Sequence, residues 1–255
     1  ISHSVVKGID FPKSCKHISY FVARNLKYVW GEKDLYFSGI RRMFRIFIPY
    51  LQNFDIKKSR KPTKIISVST FVSDWIKEKY DREAITIYPP VSIDDFEFQK
   101  NKEDFYVSVG RLEPYKRYDI LIDVFNNNGK KLIIIGDGSL FQELQEKAKD
   151  NIEFKGYLFP RKSKEYLKRA KAFVFCGKED FGIALLEPQV CGTPVISFGE
   201  GGALDSIIDN KTGVLFYEQT SQSLDNAIEK FEKINFDASY IREHSLNFSI
   251  EKFKE

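Results

Sequence analysis

From residue 105 onward, the sequence alternates between short apolar runs and longer amphipathic segments. Uninterrupted apolar runs are typical of strands buried on both faces, and their alternation with helices indicates a parallel sheet covered on both sides. The predicted strands are Phe105–Val109, Lys131–Ile135, Ile152–Lys155, Ala172–Cys176, Pro194–Phe198 and Val214–Tyr217. The predicted helices are Tyr118–Asn126, Ser139–Lys149, Lys162–Ala170, Phe181–Cys191, Ala203–Ile208 and Ser221–Ile234. This alternation predicts a doubly wound α/β domain with right-handed crossovers.

A separate unit is predicted upstream of this domain. Shorter strand and helix patterns recur before residue 89, where Pro89 and Pro90 stop regular structure and mark a domain boundary. The predicted units are residues 1–90, residues 91–240 and a terminal segment, residues 241–255. The chain begins with Ile1 rather than Met, so we expect that an upstream piece is missing and that the first domain is incomplete.

The net charge of +4 is unevenly distributed along the chain. Residues 1–61 contain 13 Lys or Arg and 4 Asp or Glu, a balance of +9, so the remaining residues carry −5. A basic region favours an anionic partner, either phosphate groups or an acidic membrane surface, and a solvated basic face is the alternative. Within it, Phe44, Phe47 and Phe54 belong to an apolar stripe at helical spacing over residues 39–54. This stripe predicts a helix that either faces the core or lies on a membrane.

Several classes of protein are disfavoured by the same composition. No apolar run approaches the roughly 20 residues of a membrane span. The aromatic residues of the basic region follow a helical stripe rather than an exposed sheet, so nucleic acid is not an expected partner. The three cysteines lack the spacing of a metal site, and Cys176 and Cys191 read as small core residues, which fits a reducing, cytoplasmic setting.

Two acidic residues lie just before and within the predicted helix that follows the fourth predicted strand, Ala172–Cys176. Glu179 lies in the loop at the carboxyl end of the strand, and Glu187 lies on the helix. In open α/β sheets this edge is where ligands bind. An ionised carboxylate can accept two hydroxyl donors at once, as the vicinal diol of a ribose or a hexose offers them. The alternative is an exposed loop acid and an acid placed near a helix N-terminus by the dipole.

Other polar groups follow the neighbouring strands. Gly110 and Arg111 end the first strand, and Lys116 follows five residues later, so the two cations can clamp a diphosphate unless they simply form a basic surface turn. Asp137 and Gly138 follow the second strand in a Gly-Asp-Gly turn. The backbone N–H groups of Phe181, Gly182 and Ile183 lie in the first turn of the predicted helix. The first turn of a helix is a favourable place for an anion.

The pattern E-D-F-G-I-x-x-x-E from Glu179 to Glu187 resembles the retaining glycosyltransferases of family 4, the group 1 family, which have the GT-B fold. The likeness is closest to bacterial O-antigen mannosyltransferases. It implies an α/β protein of GT-B type, with two Rossmann-like domains that have parallel sheets, the N-terminal one being incomplete here. It also implies that Glu179 contacts the donor sugar, that Glu187 holds the nucleotide ribose, and that residues 91–240 form the domain that binds the nucleotide sugar.

The resemblance extends to the other strand ends. It implies that Gly110, Arg111 and Lys116 hold the donor diphosphate, so that Glu179, Arg111 and Lys116 are the expected catalytic residues. Asp137 and Gly138 would lie beside the nucleotide. The main chain of Tyr157 and Leu158 would pair with the nucleobase, and a backbone contact leaves the choice of base open.

The remaining parts of the chain match this family less evenly. The family usually has Glu where this chain has Asp205, in the loop Gly199–Asp205. Leu246–Phe253 resembles the closing helix, which would return to the first domain. The first 60 residues lack the His that such members usually carry between the positions of Tyr20 and Trp30, so the acceptor side is left with His3 and His17 as candidates.

The function implied is transfer of a hexose with retention of configuration and without a metal cofactor. The likeness favours GDP-mannose as donor, with a UDP-sugar as the alternative, and a lipid-linked glycan or glycolipid as acceptor. Such a protein would act in lipopolysaccharide or polysaccharide biosynthesis, in the cytoplasm or peripherally on the inner face of the cell membrane. A non-catalytic or truncated nucleotide-sugar-binding domain is the rival hypothesis. A sugar-nucleotide epimerase would need an early G-x-G-x-x-G and a Tyr-x-x-x-Lys, which do not stand in the right places.

Overall fold

The computed structural model describes residues 1–12, 14–31, 43 and 45–255. The chain divides into two compact units, Ile1–Tyr88 and Pro89–Glu255. Each unit is built on a parallel sheet with helices around it.

The described part of the first unit has a four-stranded sheet. Its strands are β1 (Ser2–His3), β2 (Ile18–Phe21), β3 (Lys64–Ser67) and β4 (Ile85–Thr86), and they lie in chain order. Its helices are α1 (Lys27–Trp30), α2 (Ile48–Ser59) and α3 (Thr70–Tyr80). The helix α3 begins at Ser69 as an N-cap, since the Ser69 hydroxyl accepts a hydrogen bond from the Val72 N–H at 3.1 Å.

The second unit has a six-stranded parallel sheet in the order β10-β9-β8-β5-β6-β7. Its strands are β5 (Glu103–Val109), β6 (Leu132–Ile135), β7 (Ile152–Phe154), β8 (Ala170–Phe175), β9 (Val195–Phe198) and β10 (Gly213–Phe216). Chain order reverses between β5 and β8, which pair directly. This reversal is the topological switch point, the place where open α/β sheets bind their ligands.

Helices cover the second sheet. They are α4 (Tyr118–Asn128), α5 (Phe141–Lys147), α6 (Pro160–Arg169), α7 (Ile183–Val190), α8 (Ala203–Ser206), α9 (Ser221–Glu232), α10 (Ala238–Ser245) and α11 (Ile250–Lys254). Short 3₁₀ turns cover Ser4–Val6, Ile93–Asp95, Pro114–Lys116 and Leu246–Phe248. The four residues of β6 and of β9 are all buried, as uninterrupted apolar strands predict. The predicted return of residues 241–255 to the first domain stays a prediction.

The helix predicted over residues 39–54 differs from the structure. Residues 39–42 and Phe44 lie outside the described residues, and the observed helix α2 begins at Ile48. Pro49 therefore occupies the first turn, where its missing N–H costs nothing, rather than kinking a helix interior. Phe47 and Phe54 are 53% and 50% exposed, so a core-facing interpretation of this stripe is wrong for these two residues.

Candidate active site

Two loops meet at the carboxyl edge of the second sheet, at the switch point between β5 and β8. The loop after β5 contributes Lys116, the loop after β8 contributes Glu179, and the two side chains form an ion pair. They lie 63 residues apart in the sequence and come together because β5 and β8 are adjacent parallel strands. Two predicted catalytic residues are thus neighbours in the structure.

The ion pair is partly withdrawn from solvent. The Lys116 side chain is 14% exposed and the Glu179 side chain 25%. The Lys116 Nζ lies 5.0 Å from the ring centre of Phe175 and 5.2 Å from that of Tyr115, and aromatic faces attract an ammonium group. Lower solvent access strengthens the attraction between the two charges, so each charge is neutralised by the other in this form of the protein.

Arg111, the third predicted catalytic residue, lies in the same loop and is exposed. Its Nη2 donates a hydrogen bond to the Tyr115 Oη at 3.1 Å, and it forms no ion pair with the residues that the structure describes. Its charge is therefore available to an anion. Gly110 anchors the start of the loop, since its N–H donates to the Ile135 carbonyl at 3.0 Å.

Close backbone contacts hold the loop after β6 against the loop after β5. A Cβ atom at Gly136 would lie 1.9 Å from the Gly110 carbonyl oxygen, and one at Gly138 would lie 2.5 Å from the Leu112 carbonyl oxygen. Both positions therefore require glycine. The Asp137 Oδ1 accepts a hydrogen bond from the Gly138 N–H at 2.7 Å. Asp137 and Gly138 thus shape this loop, two strands from Glu179.

The backbone of Glu179 is fixed by the glycine-rich loop after β9. The Glu179 carbonyl accepts a hydrogen bond from the Gly202 N–H at 2.9 Å, and a Cβ atom at Gly202 would lie 2.2 Å from the Phe181 carbonyl oxygen. Gly182 has a φ of 86°, so α7 begins at Ile183 rather than at Phe181 as predicted. The Phe181 side chain is 4% exposed and belongs to the core, which leaves its main chain as the part near the site.

Glu187 lies on α7, four residues after Ile183. It is half-buried and forms no hydrogen bond or ion pair within the described ranges. Burial raises the pKa of the Glu187 carboxyl, and the charge of Lys164 on α6 opposes this shift to a smaller extent. A half-buried carboxylate without a donor can accept hydrogen bonds from the hydroxyl groups of a ligand.

Tyr157 and Leu158 lie between β7 and α6, at the edge of the sheet. Tyr157 is 69% exposed, and its ring centre lies 5.9 Å from that of Phe159 in an edge-on arrangement. Leu158 is half-buried. Neither residue forms a hydrogen bond or ion pair with Lys116 or Glu179, so their pairing with a nucleobase stays a prediction.

The two histidines predicted for the acceptor side lie in the first unit. His17 is buried, its Nε2 lies 2.6 Å from the Ser2 Oγ, and its ring centre lies 4.6 Å from that of Phe11. Burial lowers the pKa of His17, which favours the neutral imidazole. His3 is exposed, with its Nδ1 3.5 Å from the Ser4 Oγ. The described contact of His17 is therefore buried, and that of His3 lies at an exposed position.

A buried ionic cluster in the first unit has no counterpart in the sequence predictions. Asp55 is 3% exposed and accepts hydrogen bonds from Lys7 Nζ at 2.5 Å, Asn25 Nδ2 at 3.1 Å, Trp30 Nε1 at 2.9 Å and Tyr80 Oη at 2.5 Å. Desolvation lowers the pKa of Lys7 and raises that of Tyr80. Four donors satisfy one carboxylate, so the cluster ties distant segments together.

Other candidate chemistry is limited in the described parts of the chain. There, no three His, Cys, Asp or Glu side chains are grouped as ligands for a metal ion. None of the helices within these parts combines the length and the apolar character that a membrane span requires. Cys176 and Cys191 are buried, as predicted, and Cys15 is exposed.

Curated relatives resemble parts of this chain. An uncharacterized glycosyltransferase of Methanocaldococcus jannaschii is 28% identical over 170 residues, which are 65% of this chain and 48% of that protein. The O-antigen chain mannosyltransferase of Salmonella typhimurium is 27% identical over 164 residues, 60% of this chain and 46% of that protein. A GDP-mannose-dependent alpha-mannosyltransferase of Mycobacterium tuberculosis is 33% identical over 108 residues, 42% of this chain and 28% of that protein. The chain spans less than half the length of each.

Solved structures and a family model agree with this picture. Sucrose-phosphate synthase from Thermosynechococcus elongatus superposes with a TM-score of 0.73 at 18% identity, over 98% of this chain and 67% of that one. An Anabaena protein, HepE, in complex with UDP gives 0.72 at 18% identity, over 92% and 69%. These likenesses confirm the GT-B fold. The sequence model described as "Glycosyl transferases group 1" matches residues 92–247. The chain therefore belongs to the glycosyl transferases group 1 family.

Proposed function

We propose that this chain carries the donor site of a retaining glycosyltransferase, which moves a hexose from a nucleoside diphosphate sugar to a glycan acceptor. The observation that carries the proposal is the Lys116–Glu179 ion pair at the switch point of the second sheet. A cation suited to a diphosphate and a carboxylate suited to sugar hydroxyls lie side by side, where open α/β sheets bind their ligands. Membership of the group 1 family supports the same reaction class.

Each charged side chain of the site has a role in this proposal. Arg111 and Lys116 hold the diphosphate and stabilise the negative charge that develops on it as the bond to the sugar breaks. Glu179 accepts hydrogen bonds from hydroxyl groups of the transferred hexose. Glu187, which has no protein donor among the described residues, accepts those of the ribose diol. The main chain around Gly182 faces the phosphates from the start of α7.

The rest of the nucleotide would contact main chain more than side chains. In the proposal Gly110 lies beneath the diphosphate, and Asp137 and Gly138 line the nucleotide. The main chain of Tyr157 and Leu158 pairs with the nucleobase. We propose that no metal cofactor takes part, because the cations of Arg111 and Lys116 supply the charge that the leaving diphosphate needs.

The donor that we propose is GDP-mannose, with a UDP-sugar as the alternative. Two of the relatives are named as mannosyltransferases, one of them GDP-mannose-dependent. The HepE structure is a complex with UDP, which supports the alternative. The likeness to an O-antigen mannosyltransferase further suggests a lipid-linked glycan as acceptor and a role in lipopolysaccharide or polysaccharide biosynthesis.

A location on the cytoplasmic face of an acidic membrane is part of the proposal. The first 61 residues carry a balance of +9. Exposed apolar side chains lie within the same basic region, just before α2 and within it; they are Met43, Ile46, Phe47, Tyr50 and Phe54. Apolar side chains beside basic ones are what an interfacial helix presents to anionic lipids. We propose that His3, which is exposed, is the better of the two acceptor-side histidines.

The test is calorimetric titration of the chain with GDP, UDP and ADP, followed by GDP-mannose and UDP-hexoses. We expect one nucleoside diphosphate to bind more tightly than the others, and Arg111→Ala to weaken it at least 10-fold, the effect of losing one charged hydrogen bond. Arg169→Ala is the matched control, since Arg169 is paired with Glu103 where β5 and β8 begin.

Two outcomes would count against parts of the proposal. Binding of none of the nucleotides would contradict the donor site itself. Binding of a nucleotide sugar, without transfer to any glycan or lipid-linked acceptor, would favour a non-catalytic nucleotide-sugar-binding protein over a transferase.

A further inference from the structure

The end of α7 that lies farthest from the candidate active site is held by two cationic side chains. This helix begins at Ile183, at the carboxyl edge of the second sheet, and ends at the amino edge, where β9 begins. There the Lys102 Nζ donates a hydrogen bond to the Cys191 carbonyl at 3.0 Å, and the Arg242 Nη1 donates one to the Val190 carbonyl at 2.7 Å. The last carbonyls of a helix lack partners within it and carry partial negative charge, so both cations stabilise this end.

Lys102 joins three elements at this amino edge. It directly precedes β5, and its Nζ also donates to the Lys168 carbonyl, in the last turn of α6, at 2.9 Å and to the Thr193 Oγ1 at 2.8 Å. With the bond to Cys191, all three ammonium protons are used. Lys102 is half-buried and forms no ion pair within the described ranges, and burial lowers its pKa to about 8. The charge is therefore kept for neutral acceptors on helix ends, at a cost in desolvation.

The end of α7 needs this external support because the hydrogen bonding of the helix is interrupted. Pro188 lies inside α7 and has no N–H to donate to the carbonyl of Ala184, four residues earlier. The interruption comes directly after Glu187, so the last residues of the helix are tied less firmly to its first turn. Side chains from outside the helix, Lys102 and Arg242, hold these last residues instead.

Glu187 lies one helical turn before the carbonyl that Lys102 holds. The helix has eight residues and is roughly 12 Å long, so a shift at its end moves this carboxylate relative to the loops of the carboxyl edge. Glu187 forms no hydrogen bond or ion pair within the described ranges, and its place is therefore set by the helix backbone and its packing. The direction in which Glu187 points thus depends on how the backbone is fixed at Cys191.

We propose that Lys102 is a positioning residue of the donor site, which fixes the end of α7 from the amino edge of the sheet and so places Glu187 for the ribose hydroxyl groups. The inference rests on the proposed function, which assigns the ribose to Glu187. Lys102 itself touches no nucleotide in this arrangement, because it lies at the edge of the sheet opposite to the Lys116–Glu179 pair.

The test is nucleotide binding by Lys102→Met in the full chain, measured by calorimetry with the preferred nucleoside diphosphate. We expect Lys102→Met to lower the thermal midpoint and to weaken binding about 5-fold, a part of the roughly 10-fold loss expected for the Glu187 charge itself. Lys102→Gln keeps an amide donor and is measured alongside, so that a folded variant is at hand if Lys102→Met does not fold. It should show a smaller loss of affinity in the same direction.

Arg82→Met is the matched control. The Arg82 Nη1 donates to the Ser59 carbonyl at 2.9 Å and the Nη2 to the Pro62 carbonyl at 3.0 Å, so Arg82 also holds the end of a helix, α2, but in the first unit. Arg82→Met should lower the thermal midpoint and change nucleotide affinity by less than about 2-fold. An equal loss of affinity in Arg82→Met and Lys102→Met would attribute both losses to stability and overturn the inference.

A second pair of variants separates the placement of Glu187 from a general packing effect. In a Glu187→Gln background, Lys102→Met should lose most of its effect on nucleotide affinity, because the charge that it places is gone. An equal effect in both backgrounds, or wild-type affinity in Lys102→Met and Lys102→Gln, would contradict the inference while the proposed function stands. If the unaltered chain bound none of the three nucleoside diphosphates, the proposed function would fail and this inference with it.

Discussion

Glu179→Gln should strengthen the binding of a bare nucleoside diphosphate while weakening catalysis. In the free protein, the Glu179 carboxylate holds the Lys116 ammonium, so under the proposed function a diphosphate must compete with Glu179 for this cation. Glutamine keeps the size of the side chain and removes the competing charge. Binding of a nucleotide without a sugar then no longer has to break an ion pair.

The size of the gain follows from the exposure of the pair. Exposed ion pairs contribute roughly 0.2–1 kcal/mol, and breaking a fully buried pair costs about 3–5 kcal/mol. With side chains 14% and 25% exposed, the Lys116–Glu179 pair lies between these cases, at about 1–2 kcal/mol after allowance for solvent screening. Removing it should tighten nucleotide binding about 5- to 30-fold.

For the complete sugar donor, we expect Glu179→Gln to be harmful rather than favourable. In the proposed function, Glu179 accepts hydrogen bonds from the hexose of the complete donor, and a hydrogen bond to a charged group is worth about 1.5–3 kcal/mol. We therefore expect kcat to fall about 10- to 100-fold in Glu179→Gln. Calorimetry measures the first effect, and turnover of the matching sugar donor measures the second.

Glu200→Gln is the control for a general loss of negative charge. Glu200 pairs with Lys178 in a neighbouring loop and does not contact Lys116. Its substitution should change nucleotide affinity by less than about 2-fold, as is usual for an exposed pair. Weaker nucleotide binding in Glu179→Gln, or an equal gain in Glu200→Gln, would refute the competition for Lys116.

Three further predictions concern other carboxylates. Glu187→Gln should weaken nucleotide binding about 10-fold in calorimetry. The same substitution should also raise the thermal midpoint at pH 7. Burial raises the pKa of Glu187, so the carboxyl favours the folded state below its ordinary pKa and loses this contribution as pH rises through the raised pKa. Glutamine carries no charge at pH 7 and avoids that loss. Asp55→Asn should lower the free energy of unfolding in urea by about 3–5 kcal/mol, since Lys7 would stay buried without its counter-charge. Glu232, whose pKa is held at about 2 by Lys130, Lys171 and Tyr106, gives stability that is present above its ordinary pKa of 4.5 and lost toward pH 2; Glu232→Gln should flatten this acid-side loss in thermal melts.

The second unit was the more predictable part of the chain, and its apolar strands explain why. A run such as Leu132–Ile135 can only be buried on both faces, so the strand and its parallel neighbours follow from composition. The first and last residues of the helices were less predictable than their existence. The predicted helix at Lys162–Ala170 ends one residue too late, because Ala170 already belongs to β8. The helix predicted from Phe181 starts two residues later, because Gly182 takes a left-handed conformation.

The first unit was less predictable, since its decisive contacts are long-range. Asp55 reads as one polar residue in a short helix, and its four donors come from positions 7, 25, 30 and 80. No local spacing brings these positions together. A carboxylate four-fold hydrogen-bonded in the core is a property of the packed unit, and it can be seen only there.

The candidate site shows the same division between local pattern and packing. Sequence spacing predicts Arg111, Lys116 and Glu179 in loops at strand ends and Glu187 on the helix that follows, but the adjacency of β5 and β8 decides which of them meet. Lys116 and Glu179 neutralise each other, whereas Arg111 and Glu187 form no ion pair among the described residues. The proposal assigns the unpaired groups to the diphosphate and the ribose. It assigns the paired groups, Lys116 and Glu179, to the diphosphate and the sugar, on the two sides of the bond that breaks. In the proposed function, a nucleotide would therefore engage Arg111 and Glu187 first. Its diphosphate would then separate Lys116 from Glu179, so that the carboxylate would become available to the sugar only when a donor is bound.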